Sequence, residues 1–194
     1  MPLAAPATPT SSIPDVEESK TDEPVEEIRT IEKWDEMSLP DNVLRGIFAY
    51  GYENPSPIQK RAICPMLSNR DLIAQAQSGT GKTATFSIGS MSRIDLSSPH
   101  VQVLCLSPTR ELAMQTANVY TNIGSFLTGL KVAVLVGGDS VDENMRSLKR
   151  DTPHVVIGTP GRVFDMLRRR ALVTKRVRTF ILDEADEMLS HGFK

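Results

Sequence analysis

The chain has 194 residues, 40% of them hydrophobic and 24% charged, which allows one domain of ordinary size with a buried core and leaves no room for two large ones. No stretch approaches the ~18 consecutive apolar residues of a membrane span, so no membrane partner is expected; the opening MPLAAPATPTSSIP has neither the basic start nor the apolar run of a secretory signal. The net charge of −2 divides unevenly: residues 1–33 carry eight Asp or Glu against three Lys or Arg, net −5, which leaves +3 for residues 34–194.

Residues 1–33 combine Pro, Ala, Ser and Thr with a block of acidic side chains, and have too few large apolar groups to offset the entropy of ordering. A disordered acidic tail is expected there, with the folded part starting at Trp34, the sole tryptophan. Ser38 followed by Asp41 predicts a capped helix with Val43, Leu44, Ile47 and Phe48 on its apolar face and Gly51 as its stop. GYENPSPIQ (51–59) ends that helix and begins another, with Ser56 as N-cap, Pro57 at the first helical position and Gln59 where a capping box places Gln. Capping alone is enough to account for Gln59.

A short apolar run over 71–75, DLIAQ, predicts a strand; AQSGTGKT (76–83) follows, and then a helix over 84–91. Strand, loop and helix in that order make a phosphate-binding loop. Ser78, Gly79, Thr80 and Gly81 let successive backbone N–H groups curl round anionic oxygens, and the helix N-terminus adds its positive dipole end. Lys82 offers a charge to the outer phosphates and Thr83 a hydroxyl to Mg²⁺. The position usually held by the first glycine is Ala76, which has less backbone freedom. A nucleoside triphosphate is the expected ligand.

Beyond the loop, runs of Val, Ile and Leu predict strands over 101–106, 131–136, 155–158 and 178–182, separated by helices over 110–125, 140–149 and 161–169. Such alternation describes an α/β fold, a parallel sheet covered by helices on both faces, with ligands at the carboxyl ends of its strands. Cys64 and Cys105 fall on different elements in apolar surroundings and resemble neither a metal pair nor a disulfide framework, which fits a reducing, intracellular compartment.

The last predicted strand runs directly into Asp183-Glu184-Ala185-Asp186, placing carboxylates on the same edge as the phosphate loop. Asp183 is suited to hold Mg²⁺ and Glu184 to polarise an attacking water; an acidic helix start favoured by the dipole is the plainer account. Three further turns should emerge on this edge: PTREL (108–112), Gly137-Gly138 and TPGR (159–162). They offer hydroxyls, free N–H groups and arginines, which is what gripping a phosphodiester backbone without reading bases requires, although Gly137-Gly138 also reads as an ordinary connection. Ten basic residues against two acidic ones between Met145 and Arg178 point to a polyanion, while any one of them alone reads as a solvated helix face.

AQSGTGKT, PTREL, GG, TPGR and DEAD in this order and spacing, with GYENPSPIQ upstream and Trp34 seventeen residues before Gly51, resemble the N-terminal RecA-like domain of a DEAD-box ATP-dependent RNA helicase over residues 34–194. Ala76 is ordinary for that family. Residues 49–52, 76–81 and 183–194 are similar to the translation initiation factor type; an ATP-gated RNA clamp of the exon-junction type is the alternative. The resemblance implies ATP and Mg²⁺, with Lys82, Asp183 and Glu184 catalytic, Thr83 and Asp183 at the metal, and residues 78–83 around the phosphates. Gln59 would read adenine besides capping, and Trp34 would contribute to the adenine pocket, with core anchoring as its alternative role. Arg110, Gly138, Thr159, Gly161 and Arg162 would line an RNA backbone track, and Asp186 would couple the nucleotide site to a Ser-Ala-Thr motif. That motif, the last strands of the domain and a second RecA-like domain are expected beyond Lys194, so this chain should be the N-terminal half, a weak nucleotide binder and a poor ATPase alone. RNA without sequence preference and translation initiation scaffold proteins are the expected partners of a monomer that is cytoplasmic, or nuclear for the exon-junction type.

Overall fold

In the computed structural model residues 30–190 are described, and the expected disordered tail lies, up to residue 29, outside the described residues. Its inner boundary moves: Ile31 already packs against the core, its N–H donates to the Lys60 carbonyl at 3.3 Å, and Glu32 pairs with the Lys60 ammonium. The folded part therefore starts before Trp34.

Helix α1 spans Asp41–Ala49, but Ser38 does not cap it. Ser38 sits in the left-handed region at φ 54°, closing a short 3₁₀ turn over Trp34–Met37. Pro40, its φ already near −60°, takes the N-cap position and leaves Asp41 in the first turn, where its charge meets the helix dipole. Gly51 ends the segment at φ 94°, as the sequence predicts. Helix α2, Pro57–Leu67, starts at its expected cap, with the Ser56 N–H donating to Gln59 Oε1 at 2.7 Å.

The strand expected over 71–75 is not formed. Residues 70–77 have no regular structure, and Ile73 is fully exposed. An apolar run becomes a strand only where a neighbour satisfies its backbone N–H and C=O groups, and no described strand lies beside it. Helix α3 starts at once after the phosphate loop and covers Lys82–Met91.

From there the elements alternate as predicted: β1 (Val103–Leu106), α4 (Arg110–Ile123), β2 (Val132–Leu135), α5 (Val141–Arg150), β3 (Val155–Gly158), α6 (Pro160–Arg168), β4 (Thr179–Leu182) and α7 (Ala185–Ser190). Hydroxyl caps set two of the helix starts: Thr109 Oγ1 accepts from the Leu112 N–H at 3.3 Å and Ser140 Oγ from the Glu143 N–H at 3.4 Å. The four strands form one parallel sheet in the order β2-β3-β1-β4, with Val103 of β1 level with Val155 on one side and Thr179 on the other.

Alternate strand residues enter two separate cores, as a pleat covered on both faces requires. Val103, Cys105, Val155, Ile157 and Ile181 pack with side chains of α1 to α4, including Ile47, Ile63, Ile88 and Tyr120. On the opposite face Leu104, Leu135 and Val156 meet Leu148 of α5 and Val163 and Met166 of α6. That second layer stops short of β4, where Phe180 and Leu182 remain 56% and 45% exposed.

Candidate functional site

The carboxyl ends of β1, β3 and β4 open onto the loops that carry the candidate residues. Two clusters form there, one around the phosphate loop and one around the arginines.

In the first, Gly79 and Gly81 take positive φ, 79° and 96°, which turns the loop through a path closed to most side chains. Ser78 and Gly79 are exposed and Thr80 to Thr83 half-buried. Thr80 Oγ1 donates to the Gln77 carbonyl at 2.7 Å, and the Gly81 carbonyl accepts from the Thr85 N–H at 2.9 Å and from its hydroxyl at 2.8 Å, so the loop is tied to its own helix. Gln59 closes the back of it. Its Oε1 caps α2 and its Nε2 reaches the Gly81 carbonyl at 3.5 Å, and a Cβ at Gly81 would lie 2.7 Å from that Nε2.

β4 delivers the carboxylates. The Asp183 N–H continues the ladder by donating to the Leu106 carbonyl at 2.9 Å, which draws Asp183 to 8% exposure. Burial pushes its carboxyl above the usual aspartate range, and the neighbouring Glu184 charge pushes it further; Lys82 and the Glu184 N–H pull the other way. Glu184 stands at φ 49°, unusual for a residue with a side chain, and its carboxylate Oε1 receives Lys82 Nζ at 3.1 Å. A contact across 102 positions thus joins the phosphate loop to the carboxylate pair. Two adjacent carboxylates beside one ammonium are a donor set whose charge a divalent cation would relieve. Asp186 is exposed on the first turn of α7.

Trp34 stands apart from both clusters. It is 2% exposed in the main core and donates its indole N–H to the Tyr52 carbonyl at 3.1 Å. It anchors the segment that leads into α2, and through α2 it bears on Gln59.

In the second cluster Arg110, at the start of α4, donates Nη1 to the Gly137 carbonyl at 2.6 Å and to Asp139 Oδ1 at 2.9 Å. Arg162, in the first turn of α6, donates Nη2 to the Asp139 carbonyl at 2.8 Å and Nη1 to Asn144 Oδ1. Gly138 has φ 91°, a conformation that disfavours any side chain, and a Cβ there would lie 2.9 Å from Arg110 Nη1, so the guanidinium would have to shift. Gly161 is different: a Cβ on it meets nothing within 4 Å. The fold leaves bare backbone there without needing it. Thr159 occupies the N-cap of α6. The structure thus brings all three turns together, and adds two residues that the sequence reading missed, Asp139 and Asn144. The only sequence signal for them is polar side chains just after a glycine pair.

The family model for the DEAD/DEAH box helicase matches residues 56–194. Eukaryotic initiation factor 4A of Caenorhabditis elegans is 53% identical over 166 residues, 86% of this chain and 41% of that protein. The ATP-dependent RNA helicase eIF4A of Scheffersomyces stipitis is 54% identical over 162 residues, 84% of this chain and 40% of that one. Among solved structures, a DEAD box protein from the hyperthermophile Methanococcus jannaschii superposes with a TM-score of 0.77 at 38% identity, over 84% of this chain and 44% of its own. Saccharomyces cerevisiae Dbp5 bound to RNA and ADP BeF3 gives 0.73 at 38%, over 82% and 40%. The chain spans about 40% of the length of the curated relatives it matches.

Proposed function

The chain belongs to the DEAD/DEAH box helicase family, and from that membership we propose that it is the nucleotide-binding part of an ATP-dependent RNA helicase of the translation initiation factor type. The observation that carries this reading is the 3.1 Å contact between Lys82 and Glu184, which joins the phosphate loop to the DEAD carboxylates on the edge where the arginine turns also emerge. The relatives' names, initiation factor and ATP-dependent RNA helicase, favour unwinding over a static clamp.

In this reading Lys82 leaves Glu184 for the outer phosphates of ATP, and the freed carboxylate orients the attacking water. Thr83 and Asp183 would hold Mg²⁺, whose chemistry is to neutralise charge on the phosphoryl oxygens. Gln59 reads the adenine edge while it caps α2, and Trp34 supports that pocket by fixing Tyr52. Arg110, Gly138, Thr159, Gly161 and Arg162 hold the RNA backbone without reading sequence, consistent with the open space beside Gly161. Asp186 couples the nucleotide site to strand separation. The protein acts as a cytoplasmic monomer recruited by initiation scaffold proteins.

Arginines supplied by another domain are worth ~10³ to 10⁵ in rate at comparable phosphoryl-transfer sites. The 194-residue chain by itself should therefore bind adenine nucleotide weakly and turn it over slowly. The test is ATP hydrolysis by this chain with and without RNA, beside a two-domain relative. Equal RNA-stimulated rates would overturn the claim about the isolated chain, and stimulation by DNA in place of RNA would overturn the assignment of RNA.

A further inference from the structure

Asp139 follows the Gly137-Gly138 turn and touches both arginines of the second cluster. Its carboxylate accepts from Arg110 Nη1 at 2.9 Å, and its carbonyl accepts from Arg162 Nη2 at 2.8 Å. The two contacts have different characters. Arg162 is held by neutral groups, the residue 139 carbonyl and the Asn144 side chain, and neither needs a charge at position 139. Arg110 already has a neutral acceptor in the Gly137 carbonyl at 2.6 Å. The negative charge of Asp139 is thus additional to what organises the turns. With side chains 43% and 38% exposed, the Arg110–Asp139 pair also adds little to stability. What the charge does affect is an arriving anion. A carboxylate on a guanidinium occupies the same planar donors that a phosphate would use, and it places negative charge where a phosphodiester would run.

We propose that Asp139 is a positioning residue that stands in for a backbone phosphate on Arg110, holding the guanidinium in place in the free protein and lowering the affinity for RNA until a phosphodiester takes its place. The inference rests on the RNA-track reading given above, and the experiment separates the two. Fluorescence anisotropy of a labelled oligouridine is measured with the parent 194-residue chain and with Asp139→Asn, Asp139→Ser and Arg110→Ala, between ~20 and ~200 mM KCl, after thermal melts have established that each variant folds. Asp139→Asn keeps an acceptor for Arg110 and removes only the charge. It should bind RNA about three- to tenfold more tightly at the lowest salt, with a salt dependence steeper by about 0.7 in log–log slope, as expected for one more phosphate neutralised on a single strand. Arg110→Ala should weaken binding and flatten the slope. A residue that merely braces the turn would not steepen the slope. Weakening by Arg110→Ala with unchanged or weaker binding by both Asp139 variants overturns the proposal and leaves the RNA track standing. No effect of Arg110→Ala, or no binding by any of the four proteins, overturns both.

Discussion

Each of the two corners of the sheet's carboxyl edge keeps a cation occupied with one of the chain's own carboxylates, but the carboxylates differ in kind. At the β4 corner the phosphate-loop Lys82 is held by Glu184, a group with proposed chemistry of its own. In the proposed mechanism nucleotide binding separates these two groups and so readies both. At the corner formed by the turns after β1, β2 and β3, Arg110 is held by Asp139, whose carboxylate has no proposed chemistry beyond occupying that guanidinium. Burial differs too. Asp183 beside Glu184 is 8% exposed, whereas both members of the Arg110–Asp139 pair are open to water. Asp183 therefore feels its neighbours with little screening, while the two ion pairs, Lys82–Glu184 at 27% and 34% exposure and Arg110–Asp139 at 43% and 38%, are both open to water and salt-sensitive.

The largest effects should come from the first corner. Glu184→Gln removes the proposed base and should lower ATP turnover of the complete helicase by ~10² to 10⁴ while nucleotide binding is kept, which single-turnover kinetics and a binding titration would separate. Turnover within a factor of two of the parent would remove Glu184 from that role. Lys82→Ala should weaken nucleotide binding by about 10- to 100-fold, the range for a lost hydrogen bond to a charged group. A loss of turnover with binding unchanged would assign Lys82 to the transition state alone.

The second corner is probed by its two glycines. Gly138→Ala places a Cβ at φ 91°, a left-handed conformation that should cost about 1–2 kcal/mol of stability by denaturant titration. Gly161→Ala has open space and should change stability by less than about 0.5 kcal/mol. If bare backbone at 161 serves RNA, this variant should still weaken RNA binding. Equal effects of the two substitutions on stability would break the contrast between a glycine the fold needs and one it does not.

How much of this was legible in the sequence follows from what each signal depends on. Val155–Gly158 was found to the residue because a continuous apolar run, buried throughout and paired on both sides by β1 and β2, has no competing use. The start of α2 was legible because Ser56, Pro57 and Gln59 are local signals, whereas the caps Thr109 and Ser140 emerged only with the structure. The strand over 71–75 failed because an apolar run records a preference, while a ladder needs a partner, and the described sheet ends at β4 with Phe180 and Leu182 still exposed. The chemical groups were legible from motif spacing. Their present partners were not, since Arg110 and Asp139 are 29 positions apart and Lys82 and Glu184 are 102.

The smallest expected effect tests the burial difference directly. The Asp183 carboxyl holds its proton more tightly in the folded chain than in the unfolded one, chiefly because it is buried and then because Glu184 is beside it. Its contribution to stability is therefore fully present below the unfolded value, near pH ~4, and is lost as pH rises through the higher folded value. Above that, the ligand-free chain carries an ionised carboxylate in a site that disfavours it. Asp183→Asn removes this cost, so its Tm should exceed that of the parent at neutral pH, and the gap should close on acidification as the parent's carboxyl takes up its proton. Lys82 opposes the shift, so in a Lys82→Ala background the gap at neutral pH should widen. A Tm of Asp183→Asn at or below the parent's at neutral pH would mean that Lys82 and the Glu184 N–H already compensate the buried charge. The first corner would then be as relaxed as the second without its ligand, and separating Lys82 from Glu184 would be the only step left to account for its response to nucleotide.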